Sequence, residues 1–107
     1  MKYLTRKEEM ILLAILRLED CASLVKIREH LKTSTGHEWT VGNVYVPLDR
    51  MRKLGYLESH IGDPTAQRGG KAVKFYHLSK KGKEALTELR KVHDRMWTGI
   101  PEFAKKK

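Results

Sequence analysis

Apolar residues recur at helical spacing near the start of the chain, between residues 6 and 19. Thr5 stands just before this segment, where a helix N-cap is preferred. One face consists of Ile11, Ala14, Ile15 and Leu18, and three further leucines lie off that face: Leu12, Leu13 and Leu16. A helix that is apolar over most of its circumference is buried on two sides. We expect either a second copy of the chain or the chain's own C-terminal helix to cover the second side.

The following segment predicts two more helices, each with its own cap. Ser23 can cap a helix that ends near Gly36, and its inner face would consist of Leu24, Ile27 and Leu31. Thr40 can cap a third helix that stops at Gly55, because glycine accepts the left-handed conformation found after many helices. The inner face of this third helix is predicted to consist of Val41, Val44, Leu48 and Met51. Pro47 lies inside it and removes one backbone hydrogen bond, so we expect an irregular helix there.

Two strands and a last helix complete the pattern. Residues 56–61 and 72–78 are rich in aromatic and branched side chains, and the loop between them is too long for a tight hairpin turn. Ser79 can cap a helix that runs to about Trp97. The predicted order is therefore α-α-α-β-β-α, a mainly α fold with a small β-hairpin (α+β). Helices two and three followed by a hairpin are the layout of a winged helix-turn-helix.

The last helix carries two apolar stripes. Ala85, Leu89, Val92 and Met96 form a seam like that of a coiled coil, and Leu86, His93 and Trp97 lie beside it. We expect this helix to form a dimer with the first helix or with its mate in a second subunit. The alternative is a helix that folds back on its own domain. The predicted dimer interface comprises Leu12, Leu13, Leu16, Leu86, Leu89, Val92, His93, Met96 and Trp97.

The same stripes offer a place for a small apolar or aromatic effector. Met96 and Trp97 can line an apolar crevice at a dimer seam, although tryptophan at helical spacing is more often part of a core.

Taken together, the pattern predicts a winged helix-turn-helix DNA-binding domain at 1–78, a dimerisation helix at 79–98 and a disordered basic tail at 99–107.

Charge changes this picture because it is concentrated. The 107 residues carry a formal net charge of +9. Residues 50–83 hold nine basic and only two acidic side chains, and so contribute seven of those nine charges. Such a concentration indicates a polyanionic partner, with nucleic acid ahead of a membrane. The alternative is a solvated surface that keeps a small protein in solution.

The third helix has the composition of a recognition helix. Its predicted outer face carries Gly42, Asn43, Val46, Asp49, Arg50 and Lys53. Asn43 can pair with adenine, Val46 can contact a thymine methyl group, and Arg50 can reach guanine or a phosphate. The hairpin adds three cations that can reach a phosphate backbone: Arg68, Lys71 and Lys74.

Several motifs resemble the PadR family of transcriptional regulators, over roughly residues 8–90. They are GHEWTVGNVY at 36–45, LDRM at 48–51, LGYL at 54–57, RGGK at 68–71, and FYHLS at 75–79 followed by Gly82. The resemblance implies a dimeric bacterial winged-helix regulator, usually a repressor, whose C-terminal helix dimerises. It also implies that Tyr45 lies near the DNA backbone and that Arg68 and Lys71 belong to the wing. With Thr40 at the helix start, the predicted DNA contacts are Thr40, Gly42, Asn43, Tyr45, Val46, Arg50, Lys53, Arg68, Lys71 and Lys74.

Two departures from the family pattern weaken any transfer of base specificity. Val46 separates Tyr45 from Pro47, which usually follows the tyrosine directly, and Ser23-Leu24-Val25 replaces a frequent Gly-Tyr in helix two. The single short C-terminal helix resembles the small branch of the family.

Other classes of function find little support. The five histidines lack ligand spacing, and no catalytic constellation, metal site or cofactor motif is present. Cys21 stands alone and is expected to be a small buried residue near a turn. No apolar run spans a bilayer and no export signal is recognised, so we expect a cytoplasmic protein. We therefore predict a DNA-binding regulator that binds an inverted repeat. The alternatives are a winged-helix adaptor for an acidic protein partner, and a small-molecule sensor with weak DNA contact.

Overall fold

The computed structural model describes residues 3–62 and 72–101. It contains α1 (Arg6–Leu18), a short 3₁₀ helix (Glu19–Cys21), α2 (Leu24–Thr35), α3 (Val41–Lys53), β1 (Leu57–Ile61), β2 (Lys74–Leu78) and α4 (Lys80–Trp97). The predicted order α-α-α-β-β-α and the winged helix-turn-helix fold are confirmed. Among the described residues no helix is both long and apolar enough to span a membrane.

All four α-helices begin after a hydroxyl side chain, as the sequence predicts. Thr5, Ser23, Thr40 and Ser79 each accept a hydrogen bond from the backbone N–H three residues further on, at 3.1 to 3.3 Å. Each of these bonds satisfies a donor that the helix itself leaves unpaired, and is worth about 1 kcal/mol.

The core is one cluster to which the helices and the hairpin all contribute. The fully buried side chains include Ile11, Leu12 and Ile15 of α1, Ile27 and Leu31 of α2, Val44, Leu48 and Met51 of α3, and Leu57 of β1. The predicted inner faces of α1 and α2 are confirmed apart from Leu18 and Leu24, which are only partly buried.

Two predictions of burial are wrong. Val41 is 51% exposed, because it is the first residue of α3 and that end of the helix projects beyond the core. Cys21 is exposed, because the 3₁₀ turn ends there and the next residue, Ala22, enters the core in its place.

The hairpin lies on the core through one face. β1 and β2 pair antiparallel from Leu57 opposite Leu78 to Ile61 opposite Lys74. The other edge of β2 is bridged by the segment before α2, where the Tyr76 N–H donates to the Ala22 carbonyl at 2.9 Å. This bridge, which the sequence pattern did not predict, fixes the hairpin against the connection between α1 and α2.

Helix α4 is anchored to the turn that ends α3. The Ser79 N–H donates to the Tyr56 carbonyl at 3.0 Å, and Lys81 Nζ donates to the Leu54 carbonyl at 2.9 Å. The turn itself passes through Gly55 at φ +90°, a conformation that glycine adopts without strain. Of the predicted tail, residues 102–107 lie outside the described residues.

Candidate nucleic-acid interface

The N-terminal half of α3 presents uncharged side chains to solvent. Val44, Leu48 and Met51 hold the back of the helix in the core. Gly42, Asn43, Tyr45 and Val46 are exposed, with Val46 at 64% and Tyr45 at 42%. The helix continues through Pro47 despite its missing N–H. These four exposed residues, Gly42, Asn43, Tyr45 and Val46, are called the α3 tip below. Thr40, which caps the helix, is also exposed beside it.

The turn between α2 and α3 is held by contacts that the sequence analysis did not identify. Gly36 ends α2 in the left-handed conformation, at φ +76°. Arg28 Nε donates to the Trp39 carbonyl at 2.8 Å, and the Trp39 indole donates to Thr35 Oγ1 at 3.0 Å. These bonds set the angle at which α3 leaves the core. The sequence predicted the helix end at Gly36, because that depends on a single residue. It did not predict the hydrogen bonds of Arg28 and Trp39, because they depend on how the turn folds back on α2.

The second half of α3 is charged, but its cations are paired. Arg52 Nη2 lies 2.9 Å from Asp49 Oδ1, and Lys53 Nζ lies 3.1 Å from Asp49 Oδ2. Hydrogen bonds from Arg52 and then Lys53 hold the pKa of Asp49 below its usual value. Arg50 Nη2 is bonded to Glu8 Oε2 on α1. Arg50 and Lys53, both predicted DNA contacts, are therefore engaged within the chain.

The wing is described in part. Lys74 is exposed at the first residue of β2. The predicted wing residues Arg68 and Lys71 lie outside the described residues. On the outer face of the hairpin the His60 ring stacks on Phe75, with centroids 5.8 Å apart, and His77 Nε2 lies 2.8 Å from Glu58 Oε1.

Exposed apolar residues lie on both α1 and α4, and one polar contact joins the two helices. His93 Nε2 of α4 lies 3.5 Å from Glu9 Oε2 of α1, which brings the two helices together. Leu13 and Leu16 lie one and two turns after Glu9 on the same side of α1, and are 46% and 44% exposed. Met96 and Trp97 lie one turn after His93 and are 71% and 59% exposed.

The other predicted interface residues are less exposed to a second subunit. Leu12 is completely buried in the core of its own chain, so its assignment to a subunit interface is wrong. Leu86 and Leu89 are also buried, at 9% and 7% exposure, and Val92 is half-buried. The last turn of α4, residues 94–97 after His93, is exposed throughout. The exposed residues Leu13, Leu16, Met96 and Trp97 are called the α1–α4 apolar surface below.

The described residues contain no cluster of three or more histidine, cysteine or acidic side chains arranged to hold a metal ion. Met96 and Trp97 are open to solvent, so a ligand pocket at this position requires a wall from a second molecule.

Comparisons with known proteins give the family. Among solved structures, the chain is similar to a PadR-like transcriptional regulator from Bacillus cereus strain ATCC 14579, with a TM-score of 0.73, 23% identity and coverage of 94% of this chain and 92% of that one. A transcriptional regulator from Clostridium thermocellum matches with a TM-score of 0.70 and 18% identity, over 92% of this chain and 90% of that one. BpsR of Bordetella bronchiseptica, whose DNA binding is regulated by 6-hydroxynicotinic acid, matches with a TM-score of 0.61 and 16% identity, over 92% of this chain and 69% of that one.

At these identities the structures establish a shared fold. A search of curated proteins finds no match. The family model described as "Transcriptional regulator PadR-like family" matches residues 12–88, most of the chain, and the proteins it describes are transcriptional regulators rather than enzymes. The chain therefore belongs to the PadR-like family of transcriptional regulators.

Proposed function

We propose that this regulator is a cytoplasmic homodimer that binds an inverted-repeat operator in double-stranded DNA and represses transcription there. Residues 1–78 form the DNA-binding domain and residues 79–98 the dimerisation helix. The observation that supports it most is the α3 tip, which stands clear of the core on a helix whose back is fully buried.

The α3 tip suits the major groove. Helix-turn-helix proteins insert the N-terminal residues of the second helix, where short side chains allow close approach. Asn43 can make a bidentate pair with adenine, worth about 1–3 kcal/mol of discrimination. Val46 can contact a thymine methyl group, and Thr40, Gly42 and Tyr45 lie where the sugar-phosphate backbone would pass.

Phosphate attraction comes mainly from the wing. We assign this role to Lys74, Arg68 and Lys71, whereas Lys53 lies further along α3 in its pair with Asp49. Each phosphate neutralised contributes a slope of about −0.9 to the plot of log affinity against log salt. We expect the affinity for every duplex, whether or not it contains the operator, to fall steeply with salt concentration.

The α1–α4 apolar surface supports the proposed dimer. Leu13, Leu16, Met96 and Trp97 are large apolar side chains on neighbouring helices, and a two-fold partner would bury them. Such a dimer places two copies of α3 about 34–36 Å apart, one turn of DNA, and so selects a near-palindrome.

The proposal includes a small-molecule effector. In a dimer, Met96 and Trp97 of two copies would face one another and could enclose a flat apolar molecule. The regulation of BpsR by 6-hydroxynicotinic acid shows that a structural relative uses a small aromatic effector. We propose an aromatic ligand for this seam, whose binding shifts the spacing of the two recognition helices.

Selection of bound fragments from random duplex DNA tests the proposal. We expect an enriched site with two-fold symmetry. Asn43→Ala should weaken binding to that site while leaving random duplex binding unchanged, because it removes a base contact. Lys74→Ala should weaken both equally and reduce the salt slope by about one phosphate.

The outcomes separate the candidate functions. An enriched site without two-fold symmetry contradicts binding as a dimer to an inverted repeat. If Asn43→Ala weakens binding to all duplexes and Lys74→Ala weakens only binding to the enriched site, the proposed roles of the recognition helix and the wing are wrong. If no sequence is enriched, the winged-helix adaptor for an acidic protein partner becomes the better account. In vitro transcription from a promoter containing the enriched site distinguishes repression from activation.

A further inference from the structure

Glu8 is the one buried acidic side chain among the described residues, and it joins α1 to the recognition helix. Its side chain is 6% exposed. Oε1 accepts the Thr5 N–H at 2.9 Å and completes a capping box, while Oε2 is bonded to Arg50 Nη2 on α3. A buried carboxylate without its cation is costly, so the Arg50 guanidinium is held in this position.

With this pair, the three cations of α3 face two carboxylates, Glu8 and Asp49, which leaves a net charge of +1. Arg50 is bonded to Glu8, and Arg52 and Lys53 share Asp49. Residues 41–48 contain no charged side chain at all. The helix thus offers DNA an uncharged tip, followed by cations whose charge is largely compensated within the chain.

We propose that Glu8 is a positioning residue of the DNA-binding surface: it ties Arg50 to α1, fixes α3 in place and withholds the guanidinium from phosphates. The inference rests on the proposed DNA-binding function. It changes the predicted role of Arg50 from a DNA contact to a tie between helices. The consequence is selectivity, because a free guanidinium beside the tip would strengthen binding to all sequences alike.

Glu8→Gln releases Arg50 without removing the cap, since glutamine also serves at this position of a capping box. Binding to a mixed-sequence duplex is measured over a range of salt concentrations. We expect the slope of log affinity against log salt concentration to become steeper by about 0.9. Between 50 and 200 mM salt this adds a further loss of affinity of about 3- to 4-fold. The ratio of operator affinity to mixed-sequence affinity should fall.

Glu84→Gln is the matched control. It removes the same charge from an exposed position on α4, and the described structure gives Glu84 no ion pair. The salt slope of Glu84→Gln should equal that of the unmodified protein. A Glu8→Gln slope that matches Glu84→Gln overturns the inference.

Arg50→Gln and the double variant Glu8→Gln/Arg50→Gln supply a second, independent comparison. Both should keep the slope of the unmodified protein, whereas Lys74→Gln should reduce it by about 0.9. Circular dichroism melting should show Arg50→Gln to be less stable than the double variant, because only the single variant leaves a buried carboxylate unpaired. A loss of slope in Arg50→Gln equal to that of Lys74→Gln overturns the inference.

Failure of the inference and failure of the proposed function look different. If the unmodified protein binds duplex DNA with a steep salt slope but Glu8→Gln does not differ from it, the function stands and the role of Glu8 is refuted. If the unmodified protein does not bind DNA at any salt concentration, the proposed function is refuted and this inference with it.

Discussion

At the scale of single residues, Glu19 has the most unusual backbone of the described chain. Its φ is +53° with ψ −119°, and it is the only described residue other than glycine with a positive φ. The chain must turn sharply there, because α1 ends and Ala22 has to enter the core three residues later. A side chain at such an angle costs about 1–3 kcal/mol.

Glu19→Gly should therefore stabilise the protein. Glycine removes the strain of about 1–3 kcal/mol but gives the unfolded chain about 0.5–1 kcal/mol of extra conformational freedom, so we expect a net gain of about 0–2.5 kcal/mol. Urea unfolding at a fixed protein concentration measures the difference. Glu29→Gly provides the matched substitution inside α2, where it should cost about 1 kcal/mol. If Glu19→Gly and Glu29→Gly lower the free energy of unfolding equally, the backbone at Glu19 is not strained.

At the scale of elements, the first turn of α4 lies unusually close to the turn that ends α3. A Cβ atom added at Gly82 would lie 2.2 Å from the Tyr56 carbonyl oxygen, which is backbone and cannot rotate away. Tyr56 in turn accepts the Ser79 N–H. This close approach, together with the hydrogen bonds of Ser79 and Lys81, fixes the turn after α3 against α4, and position 82 requires glycine.

Gly82→Ala should destabilise the fold by about 1–3 kcal/mol, the usual cost of overpacking, although alanine normally favours a helix. Gly42→Ala is the control, because it also lies in the first turn of a helix but has no heavy atom within 4 Å of the added Cβ. It should be neutral or stabilise by up to about 1 kcal/mol. Thermal unfolding followed by circular dichroism compares the two. If Gly82→Ala is as stable as Gly42→Ala, α4 does not lie against Tyr56 in solution.

The elements show which features a sequence can predict. The four N-caps and the buried faces of α1, α2 and α3 were predicted because each depends on residues within about one turn of one another. The exposure of Val41 was not predicted, because hydrophobic periodicity shows which face of a helix is buried but not how far along the helix the core extends. The Glu8–Arg50 pair joins positions 42 residues apart, and the Ala22–Tyr76 hydrogen bond also depends on tertiary packing. No local pattern predicts either contact.

At the scale of the whole molecule, the chain is extended for its length. Its radius of gyration is 16.0 Å, where a compact domain of this size has about 13 Å. The longest dimension is 53 Å and the shortest 21 Å. The last turns of α4 have no apolar cover within the described residues, and Met96 and Trp97 lie there. An isolated monomer would leave these two side chains in water, and the proposed dimer would cover them.

Leu16→Glu tests that dimer without disturbing the monomer, because Leu16 is 44% exposed. The unmodified protein should sediment at twice its chain mass of 12.4 kDa. In Leu16→Glu each copy would place a carboxylate in an apolar interface, which forfeits about 1.5–3 kcal/mol of leucine burial and adds the cost of desolvating the charge. We expect monomers, together with weaker operator binding because one half-site contact is lost. Val25→Glu introduces the same charge at a 58% exposed position on α2 and should leave the dimer intact. An unmodified protein that sediments as a monomer at all concentrations would refute the paired recognition helices, since a single copy of α3 has no reason to select a two-fold site.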